Sequence, residues 1–205
     1  MSPRIAERVL IDGPAGRLEL AINTPAAPAR GLAIVAHPHP LQGGTLDNKV
    51  AQTLAKTFVA LDYAAVRFNF RGVGGSQGSF DEGTGETDDA LAALAYARQR
   101  FGELPLALAG FSFGSFVQTR VAQRVPFERL VLVGPAVNRF DVAPVAPETI
   151  VIHGEEDDVV PLAAVFDWAR PQQLPVIVFP ACGHFFHGRL VQLQQVVTAI
   201  YPRHA

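Results

Sequence analysis

An α/β fold is predicted for this chain: one mostly parallel sheet, opened by an N-terminal antiparallel hairpin and covered by helices on both faces. Three observations predict it. After a proline- and alanine-rich loop near residue 25, short runs of consecutive apolar residues alternate with helix-length stretches. Such runs must be buried on both faces, which a parallel sheet covered by helices provides. Ahead of that loop, two strand-like runs flank the turn composition Asp12-Gly13-Pro14-Ala15-Gly16. Finally, Gly110-Phe111-Ser112-Phe113-Gly114 stands between the apolar run Leu104–Ala109 and a helix-like stretch.

The elements follow in order. Arg8–Ile11 and Leu18–Ile22 form the expected hairpin, and Thr24-Pro25-Ala26-Ala27-Pro28-Ala29 reads as a loop. The expected parallel strands are Leu32–Ala36, Ala64–Asn69, Leu106–Ala109, Leu130–Val133, Thr149–Ile152 and Val176–Phe179. Between and after them, helices are expected at Asp47–Leu61, Glu86–Phe101, Phe113–Arg124, Leu162–Arg170 and Gly188–Ile200. Asp88 and Asp89 are expected to favour the first turns of their helix through its dipole. Right-handed crossovers align the strand C-termini along one edge of the sheet, and ligands bind outside that edge. Chemistry is therefore sought just after each strand.

Bulk properties narrow the function. The 205 residues fit one domain spanning residues 1–205, with 49% hydrophobic and 18% charged residues suited to a packed core. A formal net charge of −2 and the absence of a basic cluster give no footprint for nucleic acid or an anionic membrane. The single cysteine, Cys182, excludes an internal disulfide framework and suits a reducing compartment. No cationic-then-apolar leader pattern occupies Met1–Gly16, and no apolar run approaches a membrane span. A cytoplasmic enzyme is expected.

The pattern G-x-S-x-G after a strand and before a helix is a nucleophile elbow. The turn is so sharp that strand and helix nearly touch, and glycines two residues to either side remove the side chains that would collide. A serine hydroxyl becomes nucleophilic only when a base takes its proton and a carboxylate orients that base. After the strand Thr149–Ile152 comes His153-Gly154-Glu155-Glu156-Asp157-Asp158-Val159-Val160-Pro161; after the last strand comes Ala181-Cys182-Gly183-His184-Phe185-Phe186. The candidate catalytic residues are thus Ser112, Asp157 and His184, in that order.

These segments, with His37-Pro38-His39-Pro40, Gly43-Gly44-Thr45, Asp47-Asn48-Lys49 and Phe68-Asn69-Phe70-Arg71-Gly72-Val73-Gly74, resemble the α/β-hydrolase superfamily. The similarity is to small bacterial serine hydrolases that lack a cap domain and are distantly similar to dienelactone hydrolase. The resemblance implies a Ser-His-Asp hydrolase acting on an ester-like bond. Asp157 fits the family spacing G-x-x-D-x-x-V-P from Gly154 to Pro161. Asp158, in the same loop, and Asp141, where some relatives carry the acid, are its rivals. His187 is expected to be structural.

The negatively charged intermediate needs two aimed backbone N–H groups. Phe113, next after the nucleophile, is expected to supply one. The other falls to the loop after Leu32–Ala36, where Pro38 and Pro40 have no N–H, leaving His39 first and Leu41 second. His37 is expected to stiffen that loop. Only Gly134–Glu148 separates two strands where a lid would insert, so an open site is expected, rimmed by Phe113, Phe116, Phe140, Phe185 and Phe186. Neither metal nor cofactor is expected: no H-E-x-x-H or paired-cysteine spacing occurs, and the glycines near Arg71 miss the dinucleotide pattern. The expected activity is carboxylic ester cleavage on a small molecule through an acyl-enzyme. Acyl transfer, thioester cleavage and peptide cleavage are alternatives on the same triad, a non-catalytic binding module is a further one, and the oligomeric state stays open.

Overall fold

The computed structural model describes residues 6–201, so the outer ends of the unit expected over 1–205, residues 1–5 and 202–205, lie outside the described residues. The chain opens with β1 (Glu7–Gly13) and β2 (Gly16–Asn23), paired antiparallel. There follow β3 (Gly31–Ala36), α1 (Lys49–Ala60), β4 (Tyr63–Phe68), α2 (Thr84–Phe101), β5 (Leu106–Phe111) and α3 (Phe113–Ala122). The chain continues through β6 (Arg129–Val133), β7 (Ile150–Gly154), α4 (Leu162–Ala169), β8 (Val176–Phe179) and α5 (Leu190–Ile200). One eight-stranded sheet results, in the order β1-β2-β4-β3-β5-β6-β7-β8. The pairs β1/β2 and β2/β4 are antiparallel and the rest parallel.

Every residue of β3, β4, β5, β6 and β7 is buried, as continuous apolar runs require. On one face α2 and α3 pack Ala90, Ala93, Leu94, Phe116, Val117 and Val121 against Leu32, Ile34, Leu106 and Leu108. On the other, α1 and α5 pack Val50, Leu54, Phe58, Leu193 and Val197 against Ala33, Val35, Val131 and Ile152. Truncating a ring as deeply buried as Phe58 to alanine removes about 3–5 kcal/mol.

Element ends differ from the sequence reading for local reasons. Asn48, not Asp47, caps α1, accepting the N–H groups of Val50 at 2.9 Å and Ala51 at 3.2 Å. The helix α2 starts two residues early because the Glu86 carboxylate accepts the N–H groups of Gly83 at 2.8 Å and Asp81 at 2.9 Å. Asp88 and Asp89 do not serve the first turn. Asp88 pairs with Arg124 at 2.7 Å, and buried Asp89 clasps Arg71 through its backbone N–H and guanidinium. That clasp fastens the glycine-rich loop after β4 to α2. The loop ends after β3, β5, β6, β7 and β8 converge on one edge of the sheet.

Candidate active site

Ser112 joins β5 to α3 at φ 56° and ψ −117°, a conformation L-residues rarely adopt. A Cβ on Gly110 would lie 2.3 Å from the Gly114 carbonyl oxygen. A Cβ on Gly114 would lie 2.4 Å from the carbonyl oxygen of Ala36. Only glycine fits at either place. The Ser112 N–H donates to Val133 O at 2.9 Å, and Ser115 Oγ donates to Gly110 O at 2.8 Å, so β6 and α3 brace the turn.

Asp157 and His184 meet across two loops. Asp157 Oδ2 accepts from His184 Nδ1 at 2.7 Å, with both residues buried. A carboxylate only accepts, so the His184 proton lies on Nδ1 and Nε2 is left as a base. Asp157 Oδ1 accepts the N–H groups of Val159 at 2.9 Å and Val160 at 2.7 Å. Burial pushes the Asp157 carboxyl up, but the bonds from His184 and Val160 outweigh it and hold the group below the usual carboxylate range. The loops are stitched together by Glu155 N–H to Phe179 O and Glu156 N–H to Cys182 O, each 3.0 Å. Asp158 and Asp141, the rival acids, are both exposed, and neither hydrogen-bonds His184.

Ser112 and His184 line one cleft of about 100 Å³, together with Pro38, His39, Gln42, Gly43, Asn48, Val159 and Phe185. Phe113 opens α3, so its N–H is among the orphan donors of the first turn. His39 precedes the short 3-10 turn Pro40–Gln42, and its N–H donates to no acceptor among the described residues. The Leu41 N–H, the second-choice donor, is taken by His39 Nδ1 at 3.2 Å. His37 is buried and neutral: Nδ1 donates to Pro38 O at 2.7 Å, and Nε2 accepts the Phe70 N–H at 3.1 Å. Burial pushes its ring down to about 4.

The phenylalanines expected on the rim separate. Phe185 lines the cleft and is 46% exposed. Phe140 is half-buried, its ring 5.1 Å from Phe113 and 6.0 Å from His39. Three rings are not on the rim. Phe113 is fully buried, and Phe116 lies beneath it, stacked on Phe140 at 4.8 Å. Phe186 has φ 53°, which turns its ring into the core against Phe179 at 5.4 Å. A further ring near the site is Phe80, half-buried and 4.9 Å from His39. A lone aromatic in a polar loop, it carries no periodicity or motif that would mark it in the sequence.

Other residues here carried no sequence signal beyond their motifs. Gln42 and Asn48 line the cleft, and His153 lies fully buried beside Asp157. Cys182 is a buried filler, with Sγ 3.5 Å from Gly183 O. Among the described residues no group of three or more His, Cys, Asp or Glu side chains is placed to hold a metal. No helix among them is long and apolar enough to cross a membrane.

Residues 41–148 match the family described as serine aminopeptidase, S33, a hydrolase family. The chain belongs to this family. The match takes in the Ser112 elbow and ends before β7. Among solved structures, this S33-family hydrolase is similar to an α/β serine hydrolase without lid from Xanthomonas campestris. The two are 37% identical with a TM-score of 0.90, covering 98% of this chain and 95% of that one. The fold is that of a cap-less α/β hydrolase, and residues 134–149, where a cap would insert, form no helix. An uncharacterized protein of Rickettsia prowazekii is 37% identical over 161 residues, 75% of this chain and 68% of that protein. The lysophosphatidylserine lipase of Danio rerio is 36% identical over 103 residues, which are 48% of this chain and only 27% of the lipase.

Proposed function

We propose that this S33-family hydrolase cleaves carboxylic esters or related acyl compounds of small molecules through an acyl-enzyme. Ser112 Oγ attacks the carbonyl carbon while its proton passes to His184 Nε2. The carbonyl oxygen gains the negative charge and is held by the N–H groups of Phe113 and His39. Collapse expels the alcohol oxygen, which takes the proton back from His184. Water then attacks the acyl-enzyme by the same route and frees the acid and Ser112. Asp157 keeps the imidazole in the required tautomer throughout.

The observation that carries this reading is the 2.7 Å bond from His184 Nδ1 to Asp157 beside a cleft that His184 shares with Ser112 at its strained turn. Phe185 and the partly exposed rings of Phe140 and Phe80 are assigned to contact the substrate. The cleft's lining favours an ester over the peptide reading that the family description raises. An aminopeptidase needs an anion for its substrate's ammonium group, and no carboxylate side chain lines this cleft among the described residues.

Intact-mass labelling with a fluorophosphonate tests the assignment. One adduct on the wild type and none on Ser112→Ala is expected; no adduct on either protein would overturn it. A series of p-nitrophenyl esters then ranks acyl length, with chains beyond acetate accepted by an open site.

A further inference from the structure

Behind the candidate acid sits a second imidazole. His153, the penultimate residue of strand β7 before Gly154, is fully buried. Its Nε2 lies 2.8 Å from the carbonyl oxygen of Val160 and 3.4 Å from Asp157 Oδ2. That carboxylate oxygen is the one that accepts from His184. Both neighbours of Nε2 are acceptors, so the proton belongs on Nε2, because a bare nitrogen would face two sets of lone pairs. The other nitrogen, Nδ1, is buried without a partner. A bare lone pair is tolerable there, whereas an added N–H would be costly. Burial accordingly pushes the ring's protonation down, against the opposing pull of Val160 O and Asp157; His184, facing it from the loop after β8, pushes the same way as burial. The ring is a neutral donor.

We propose that His153 is a positioning residue for the acid: its Nε2–H, shared between Val160 O and Asp157 Oδ2, aligns the carboxylate that orients His184 and tempers its hold on the imidazolium. The inference rests on the triad reading above. Oδ1 is already tied by two backbone N–H groups, so the angle at which Oδ2 meets His184 depends on what else touches Oδ2. At 3.4 Å the contact acts through its dipole more than as a strong bond. The shorter bond to Val160 O holds the turn from Asp157 to Val160 against β7. Without the donor, that carbonyl is orphaned and the turn is free to tilt. The carboxylate, less screened, then holds a protonated His184 more firmly, and the ring titrates at higher pH.

Three substitutions separate this role from simple packing. His153→Gln carries an amide donor to the reach of Nε2, His153→Asn stops one bond short, and His153→Phe fills the space without a donor. The Asn and Phe variants are expected to lose about tenfold in kcat with KM within about twofold. Their acidic limb of kcat/KM, and the His184 ring titration followed by NMR, move to higher pH. The Gln variant is expected within about threefold of the wild type. Equal kcat and equal His184 titration in all the proteins would overturn the inference, as would a Gln variant no better than Asn. If the Phe variant does not fold, the Gln and Asn pair decides alone. The NMR titration needs no turnover, so it reads the positioning role even if Ser112→Ala keeps full activity and the triad reading fails.

Discussion

Gly134 backs the His184 ring so closely that a methyl group on it would lie 3.3 Å from Cε1 and 3.4 Å from Nδ1. The residue follows β6 at φ 52° and donates its N–H to Ile152 O at 2.9 Å, so it has little freedom to retreat. Gly134→Ala is therefore expected to act twice. The left-handed backbone costs about 1–2 kcal/mol of stability. The methyl presses on the imidazole and shifts it relative to Ser112, the nucleophile proposed above, which is expected to lower kcat by about tenfold to a hundredfold. Thermal unfolding and ester turnover measured on the same sample check both parts; a variant that loses stability but keeps kcat refutes the second.

Asp157 and Asp158 differ in reach, not in chemistry. Asp157→Asn puts an amide opposite His184 Nδ1 and favours the wrong tautomer, so kcat is expected to fall by about 10³–10⁴-fold. Asp158→Asn alters an exposed side chain with no contact to the ring and is expected to leave kcat within about twofold. Turnover of p-nitrophenyl acetate by the two variants decides between them. The reverse ranking would move the acid to Asp158.

What could be read in the sequence, and what could not, divides along backbone and side chain. Ser112, Asp157 and His184 each follow an apolar run, and a parallel sheet brings the ends of such runs to one edge, so their meeting followed from topology. The direction of a ring from an irregular segment did not. Phe185 and Phe186 are neighbours, yet one faces the cleft and the other the core, because a left-handed φ at Phe186 swings it inward. Phe116 sits on the sheet-facing side of α3, a side that spacing alone did not separate from the rim. His153 stands directly after the expected strand Thr149–Ile152, and neither its residue type nor its spacing marks it for a role beside Asp157. Its contact with Asp157 arises only when residues 157–160 fold back over β7.

His37 gives stability a pH dependence whose sign is fixed. In the native state burial holds its ring down at about 4, against about 6.5 when unfolded. Between those values the unfolded chain takes up a proton that the native state refuses, so stability falls as pH falls from 6.5 to 4. The loss amounts to about 3 kcal/mol for this buried ring. His153, also shifted down by burial, acts in the same direction. His37→Gln keeps an acceptor for the Phe70 N–H and does not titrate. Urea unfolding at several pH values is expected to show a shallower decline for the variant over that window. Parallel curves would show that His37 is not the group responsible.

The contribution of the His39 backbone N–H can be isolated by a pair of variants, because the residue already has φ −52°, which proline accepts. His39→Pro deletes the donor assigned to the oxyanion and the imidazole together. His39→Ala deletes only the imidazole, with its contacts to Phe80, Phe113 and Phe140. The ratio of the two kcat values therefore isolates the N–H, and a factor of about 10²–10³ is expected. Thermal unfolding should place the two variants close together, since no protein acceptor loses a partner when this N–H goes. Equal kcat values in the Pro and Ala variants would remove His39 from the oxyanion site and leave Phe113 as the one assigned donor.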